Sequence, residues 1–430
     1  MANQGIHVAV AGAGIVGLSC ALCLQQRGYA VTLIDGNTPG SITSSGNACT
    51  IADYGCIPIN SPSLPGRLPK LLWDSDSPVS VDLGYALAHL PWMLKFLRFC
   101  KPQSVNWIIQ SLGSILRHAD AGINPLLKLT GAENLLVQNG IIYVYETEPE
   151  FQADWSNHAI RIEQGSTIEK IGRGELQDLE PNLSSIFQYG ALFPTVRHIL
   201  NPQKLTTRYF DHFVKNGGNY VNSHAEGILH NPTGMKIFLE NKQFLRANKL
   251  VVSAGAFSRK IEGCDAEKLP LDTERGYNIQ YPGLQHLISR PIAWASGGFY
   301  AVPTDEALRF SGTVEIAGLN KPKGTRHVEY LTRRSKQMFK LDSEPASDWM
   351  GYRPTLPDSL PVIGPSLRSP NTFYAFGHQH LGMTLAGITG KLVGELVSGE
   401  TPSIDLDPFN PNRFKRHAPG PIEVKPAATA

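Results

Sequence analysis

The chain has 430 residues, of which 42% are hydrophobic and 18% charged, with a formal net charge of +2. That length suits two domains, because single cores stop growing near about 250–300 residues. The near-neutral balance, with no sustained Lys/Arg run, excludes an electrostatic case for nucleic acid.

The N-terminal "MANQG" passes directly into an apolar run with no basic leader segment, so no signal peptide is expected. The six cysteines, Cys20, Cys23, Cys49, Cys56, Cys100 and Cys264, are too sparse for a disulfide framework. They indicate a reducing, cytoplasmic compartment. Residues 7–35 read "HVAVAGAGIVGLSCALCLQQRGYAVTLID". A short β-branched strand leads into Gly12-x-Gly14-x-x-Gly17, a helix follows from about Val16 to Arg27, and Gly28 stops it. A second strand then ends at Asp35. Gly12 permits the tight turn, Gly14 lets backbone approach a pyrophosphate, and Gly17 lets helix and strand pack. The helix N-terminus offers unpaired N–H groups to phosphate, and Asp35 is placed to accept from ribose hydroxyls. An acid there disfavours a 2′-phosphate, hence NADP. Cys20 and Cys23 form a C-x-x-C on this helix and are read as small packing residues.

A helical block is expected over about 84–130. Its first part, "GYALAHLPWMLKFLRF" (84–99), suits either a helix packed on its own protein or one lying on a membrane surface, with no stretch long enough to span a bilayer. "GIIYVYET" (140–147) reads as a strand, and "NPQKLTTRYFDHFVKNGG" (201–218) as a helix with an Asn-Pro start and Gly-Gly stop. "GRGELQ" (172–177) lacks the third glycine, so no second nucleotide fingerprint occurs. Strand-like segments return the chain to the nucleotide domain at "KLVVSAGAFS" (249–258). Residues 271–318 alternate apolar runs with turns, which predicts an antiparallel sheet flooring a substrate domain. A basic helix follows at about 325–340. Gly382 opens a last helix with Leu385, Ile388, Leu392 and Leu396 on its buried face. The Pro/Ala-rich tail 415–430 is expected to be disordered.

Four segments carry a resemblance: "TPGSITSSGNACTIADYGCIPINSPSLPG" (38–66), "KLVVSAGAFS" (249–258), "WMGYRPTLPDSLPVIGPS" (349–366) and "GHQHLGMT" (377–384). Together with the fingerprint they resemble bacterial FAD-dependent D-amino-acid dehydrogenases, enzymes of the D-amino-acid oxidase fold. The likeness runs over about residues 6–414 and is loose between 85 and 245. "ERGYNI" (274–279) and "TSSGNAC" depart from the usual family forms. Gln379-His380 gives a Gly-His-x-His-Leu-Gly pattern, which is similar to dehydrogenases acting on D-hydroxyproline. The resemblance implies an α/β fold in which a Rossmann-like FAD-binding domain carries an inserted α+β substrate domain on an antiparallel sheet. The expected division is 1–80, 150–265 and 345–414 for FAD, and 81–149 and 266–344 for substrate.

It also implies non-covalent FAD, since Gly351–Gly364 contains no cysteine. The implied cofactor residues are Gly12, Gly14, Ile15, Val16, Gly17, Asp35 and Gly36 at the fingerprint, and Thr43, Ser44, Asn47 and Ala48 in the wrapping loop. Ala254 and Gly255 follow at the returning turn, and Gly377, His378, Leu381, Gly382, Met383 and Thr384 at the last helix. Arg353 is the expected carboxylate clamp, through a bidentate guanidinium, the competing reading being a structural pairing with Asp358. Tyr277, Tyr300 and His380 are expected to face the substrate, with Tyr352 as an aromatic wall; Arg275 either assists or bridges domains. The substrate expected is a D-amino or cyclic imino acid, D-hydroxyproline or D-proline foremost. The acceptor of electrons is a quinone or oxygen, with peripheral contact at the inner membrane face and oligomerisation left open. The alternatives are a glycine/sarcosine-type amine oxidase and a non-catalytic FAD-binding subunit. The His378–His380 pair has no neighbouring Cys, His or Asp cluster, so no metal is expected.

Overall fold

The computed structural model describes residues 5–66, 74, 76–366, 368–369 and 371–414. The Pro/Ala-rich tail falls outside the described residues. The β-branched run at the start forms the strand His7–Ala11, which pairs in parallel with Ala30–Ile34 on one side and Lys249–Val252 on the other. The full sheet has six strands, in the order 219–221, 30–34, 7–11, 249–252, 372–376 and 362–365, antiparallel only at the last pair. Strands buried on both faces read as continuous apolar runs, and Val8, Val10, Leu33 and Val251 are all fully buried here. The helix Ile15–Gln26 and the last helix Gly382–Val397 pack together on one face of this sheet, and the helix Ala119–Thr130 packs on the last helix in turn.

That sandwich makes the last helix buried nearly all round, well beyond the expected stripe of Leu385, Ile388, Leu392 and Leu396. Backbones come close enough at Gly122 and Gly387 that a Cβ on either would strike the other helix. Cys20 is buried in the same core, and burial pushes the Cys23 thiol up to about 12. Both are packing residues, not redox groups.

A larger mixed sheet stands beside the first. Its main path runs 347–355, 272–282, 307–316, 299–303, 292–294, 141–145, 189–193 and 169–172, with 79–81 pairing onto 307–316. Most pairs are antiparallel, but 292–294 with 141–145 and 307–316 with 79–81 run parallel. One face is covered by the helix Arg326–Phe339, whose Tyr330, Leu331 and Met338 pack on Tyr277, Ile279 and Phe310. The opposite face is lined with glycines and looks towards the nucleotide sheet.

The expected domain boundaries shift on this evidence of pairing and packing. Strands Glu169–Gly172 and Tyr189–Phe193 belong to the large sheet, although the sequence pattern places 150–265 in the FAD domain. Strand Ser347–Thr355 forms its edge, although the sequence pattern places 345–414 in the FAD domain too. Conversely, Ile108, Leu112, Ile123 and Leu127, from the block assigned to the substrate domain, join the nucleotide-domain core. Backbone pairing set these memberships, and local pattern does not report it.

The segment 84–99 forms two short helices, Leu83–Ala88 and Leu90–Arg98, joined at His89. Trp92 donates its indole N–H to Pro270 O at 2.7 Å, which ties the pair to the segment leading into the strand 272–282 of the larger sheet. No described helix is long and apolar enough to cross a membrane.

Candidate active site

Between the two sheets lies a cavity of about 1280 Å³. It opens at the carboxyl ends of the parallel strands, where Ala11, Ile34 and Phe376 reach it, as ligand sites in open α/β sheets do. The volume exceeds the roughly 300–1,000 Å³ of a small-ligand pocket, leaving room for a dinucleotide and a small substrate together.

The nucleotide end is built by the fingerprint. Gly12 has φ +109°, and a Cβ there would sit 2.5 Å from Ser253 O. A Cβ on Gly17 would collide with Gly12 O, so only glycine lets this helix close on the strand. Gly14 caps the helix with no side-chain hydrogen bond and no acid in the first turn, which leaves that end fit for anionic phosphate. Ala13 N–H donates to Asp35 Oδ2 at 2.7 Å, and Ile15 N–H to Ser44 Oγ at 3.0 Å. The acid and the wrapping loop are thus fastened to the phosphate turn. Gly14, Ile15, Val16, Asp35, Thr43, Ser44, Asn47, Ala48, Ala254 and Gly255 all border the cavity. The Thr43 hydroxyl donates to Tyr352 O at 3.1 Å, joining the loop to the substrate sheet.

The last helix also ends on this cavity, with Gly382 and Met383 at its border and no capping side chain. Two helix N-termini therefore converge on one space, and both favour negative charge there. These features fit a bound FAD: one end for its pyrophosphate, the other for a site where charge develops. Several expected contacts lie elsewhere. Gly36 packs on the His224 ring, Gly377 turns against Leu356 and Leu381 against Gly55. Thr384 Oγ1 accepts from Ala52 N–H at 2.8 Å. These four hold the walls, and Gly17 holds the helix to its strand.

His378 borders the cavity, but its Nε2 meets Thr389 Oγ1 at 2.9 Å and burial depresses its pKa to about 3. It is a neutral structural histidine and brings no positive charge to the cavity. His380 is enclosed by protein yet exposed to the cavity itself. Burial, with a smaller push from Arg353, lowers it to about 4, so it too is neutral at pH 7.

At the substrate end, Arg353 lies over Gly276, with the guanidinium where a side chain would otherwise be. It donates to Thr313 O at 2.8 Å and Gly312 O at 3.3 Å. Thr313 holds φ +55°, an uncommon conformation for a β-branched residue, and its carbonyl receives the arginine. Five guanidinium N–H donors leave others free for a carboxylate. Asp358, the competing partner, is engaged by Arg413 at 2.6 Å. Burial lowers the Arg353 pKa, opposed by Glu274 and Tyr300.

Tyr300 borders the cavity and shares a 2.7 Å hydroxyl contact with Tyr143. Tyr352 does so too, edge-on to Phe257 at 5.5 Å. Tyr277 does not. Its hydroxyl donates to Glu315 Oε2 at 2.5 Å, and its ring stacks on His327 at 4.8 Å. The reason is the strand period of two: Glu274 and Gly276 face the cavity, so Arg275 and Tyr277 face the helix. Arg275 is fully buried on that far side, held by Gly318 O and Lys321 O.

The same alternation exposes two residues the sequence reading passed over. Trp349, two before Gly351 and four before Arg353, borders the cavity and packs against Gly46 and Gly351. Glu274 lies directly opposite Arg353 in the strand register. Its carboxyl is buried, and Oε2 has no hydrogen-bond partner. Burial raises it to about 7, opposed by Arg353 and the Thr355 hydroxyl and reinforced by Asp272.

Three comparisons bear on this geometry. The family described as "FAD dependent oxidoreductase" (DAO) matches residues 7–396. The D-amino-acid oxidase of Bradyrhizobium diazoefficiens is 30% identical over 421 residues, covering 96% of this chain and 99% of that protein. Among solved structures, glycine oxidase from Geobacillus kaustophilus superposes with a TM-score of 0.71 at 20% identity, over 94% of this chain and 98% of that one. L-Proline dehydrogenase from P. horikoshii gives 0.69 at 17% identity, over 96% and 98%. At those identities the structural likenesses speak for the fold alone.

Proposed function

Because the chain belongs to the DAO family of FAD-dependent oxidoreductases, we propose that it oxidises a D-amino or cyclic imino acid to the imine, with D-proline and D-hydroxyproline the favoured substrates. The observation that carries this reading is Arg353, fixed over Gly276 in the cavity that the fingerprint helix and the last helix both face. FAD, held non-covalently, supplies the two-electron acceptor for a hydride from the α-carbon. The chain's part is to bind and orient. Arg353 takes the carboxylate, Tyr300 and Tyr352 border the same space, and Gly276 and Gly351 make room for the Arg353 guanidinium and the Trp349 ring beside it. Neutral His380 borders that space, and the Gly-His-x-His-Leu-Gly resemblance supports a compact cyclic substrate beside it.

The test is anaerobic bleaching of the flavin band across D- and L-amino acids, sarcosine and the hydroxyproline isomers. Bleaching by D-proline or a D-hydroxyproline ahead of the others is expected. Preference for glycine or sarcosine would replace this substrate with a simple amine. Activity seen only after a partner is added would favour a non-catalytic subunit.

We further infer a peripheral membrane position at the cytoplasmic face, which would suit either acceptor, a quinone or oxygen. Leu83, Leu87, Leu90 and Leu94, on the two short helices, are 65%, 73%, 48% and 52% exposed. From Leu83 to Ala119 the sequence has Lys95, Arg98, Lys101 and Arg117 but no acidic residue. Apolar side chains flanked by unopposed cations suit an anionic bilayer. Vesicles containing anionic lipid should co-sediment the protein, and Leu87→Glu/Leu94→Glu should abolish this; equal recovery with neutral vesicles would refute it.

A further inference from the structure

We propose that Glu274 is the proton acceptor for the substrate's amine, standing across the strand pair from the arginine that holds the substrate's carboxylate. The proposal rests on the amino-acid oxidation proposed above and adds a residue to that site.

The geometry is specific. Glu274 is 3% exposed and borders the cavity, and its Oε2 has no hydrogen-bond partner. An unpaired polar atom in a buried site is costly unless a ligand completes it. Glu274 and Arg353 are register partners on adjacent antiparallel strands, a relation that brings Cβ atoms to about 4.5–5.5 Å. Between the same strands, Gly276 pairs with Gly351, and these glycines make room for the Arg353 guanidinium and the Trp349 ring that lie over them. An α-amino acid carries its carboxylate and its ammonium on one carbon. A cation and an anion side by side match that zwitterion.

The amine must lose a proton before its lone pair can form the C=N bond. In the step proposed, one N–H bond of the ammonium breaks as an O–H bond forms at Glu274. The freed lone pair can then form the C=N bond as the α-hydrogen leaves with its electron pair, for which bound FAD would supply the two-electron acceptor. The proton on Glu274 passes to solvent after product departs.

The surroundings support this role. Arg353 faces Glu274 from the strand Ser347–Thr355, and Asp272 lies on its own strand. Tyr300 and the neutral His380 border the same cavity from other elements, and Lys260 borders it beyond the returning turn. Burial places the Glu274 carboxyl near 7, a poise suited to general-base work at neutral pH. It is ionised, and able to accept a proton, as pH rises through that value.

The experiment compares wild type with Glu274→Gln, both with FAD bound. In wild type, kcat/KM for the best D-amino acid should rise with pH along a limb near 7. In Glu274→Gln that limb should vanish and kcat/KM at pH 8 should fall about 10²-fold or more. The residual rate should climb only as the substrate's own ammonium titrates. A second readout needs no turnover: calorimetry of benzoate binding in two buffers of different ionisation enthalpy. A carboxylate beside Glu274 favours its protonated form, so wild type should take up protons near pH 7.5 and Glu274→Gln should not. The limb persisting in Glu274→Gln, or equal proton uptake in both proteins, overturns the proposal. Absence of proton uptake in wild type overturns it as well, whatever the variant does. Failure of the amino-acid reading looks different, because then no amino acid bleaches the flavin in either protein.

Discussion

Adding one methyl group at Gly276 should damage the site without touching the arginine itself. A Cβ there would lie inside the Arg353 guanidinium, so the group must move by about 1 Å to regain ordinary contact with Cζ and Nη2. A free arginine tip would yield easily. This one reaches across Gly276 to the next strand over, where it is anchored to Thr313 O at 2.8 Å and Gly312 O at 3.3 Å. Hydrogen bonds from a charged donor contribute about 1.5–3 kcal/mol each, and a 1 Å displacement of a positioning group costs on the order of 10²-fold in rate. Gly276→Ala should therefore lower kcat/KM by about 10²-fold, roughly 2.7 kcal/mol of transition-state binding. Most of it should appear as a raised KM, because the clamp holds substrate and transition state alike. Steady-state kinetics with an artificial electron dye, on protein of verified flavin content, gives both constants. Unchanged KM in Gly276→Ala would show that the carboxylate is held elsewhere and would remove Arg353 from the site.

Tyr277→Phe removes a hydroxyl bound to Glu315 on the far face, so it should cost about 1–3 kcal/mol in urea unfolding and leave KM alone; a raised KM would return Tyr277 to the cavity. His378 is held neutral, its pKa depressed to about 3 by burial. A depressed histidine contributes stability that is present above the unfolded value near 6.5 and lost as pH falls below it. Unfolding free energy should thus drop from pH 6.5 towards 4.5, by about 2–3 kcal/mol for this residue, and His378→Gln should flatten that slope; parallel curves would refute it. Gly17→Ala places a methyl against Gly12 O and should give apoprotein or insoluble chain, read from the flavin-to-protein absorbance ratio.

The nucleotide end was legible in the sequence because its requirements are local. Gly12, Gly14, Gly17 and Asp35 lie within one strand–helix–strand unit, and their spacing carries the geometry. The helix Pro202–Lys215 was legible for the same reason: Asn201 caps it, accepting from Lys204 N–H at 3.0 Å, and Gly217-Gly218 follow its end. The substrate end depends on which face of a sheet each residue takes, and that is fixed by distant partners. "ERGYNI" has no simple apolar alternation, since Arg275 and Tyr277 are buried beneath a helix while Glu274 and Gly276 meet the cavity. Reading that stretch from Arg353 outward, through a neighbour only the pairing reveals, identifies Glu274 and dismisses Tyr277. The domain boundaries erred likewise, because 169–172 and 189–193 acquire their sheet through pairing with 141–145 and with each other.

The central claim is that a D-amino acid held by Arg353 delivers the hydrogen of its α-carbon to FAD in this cavity. Anaerobic stopped-flow of the flavin absorbance, with D-proline and its α-deuterated form, tests it most directly. The account predicts bleaching that is slowed several-fold by deuterium and lost in Arg353→Ala at the same substrate concentration. Flavin that stays oxidised with every D-amino acid, or bleaches equally well in Arg353→Ala, would contradict it.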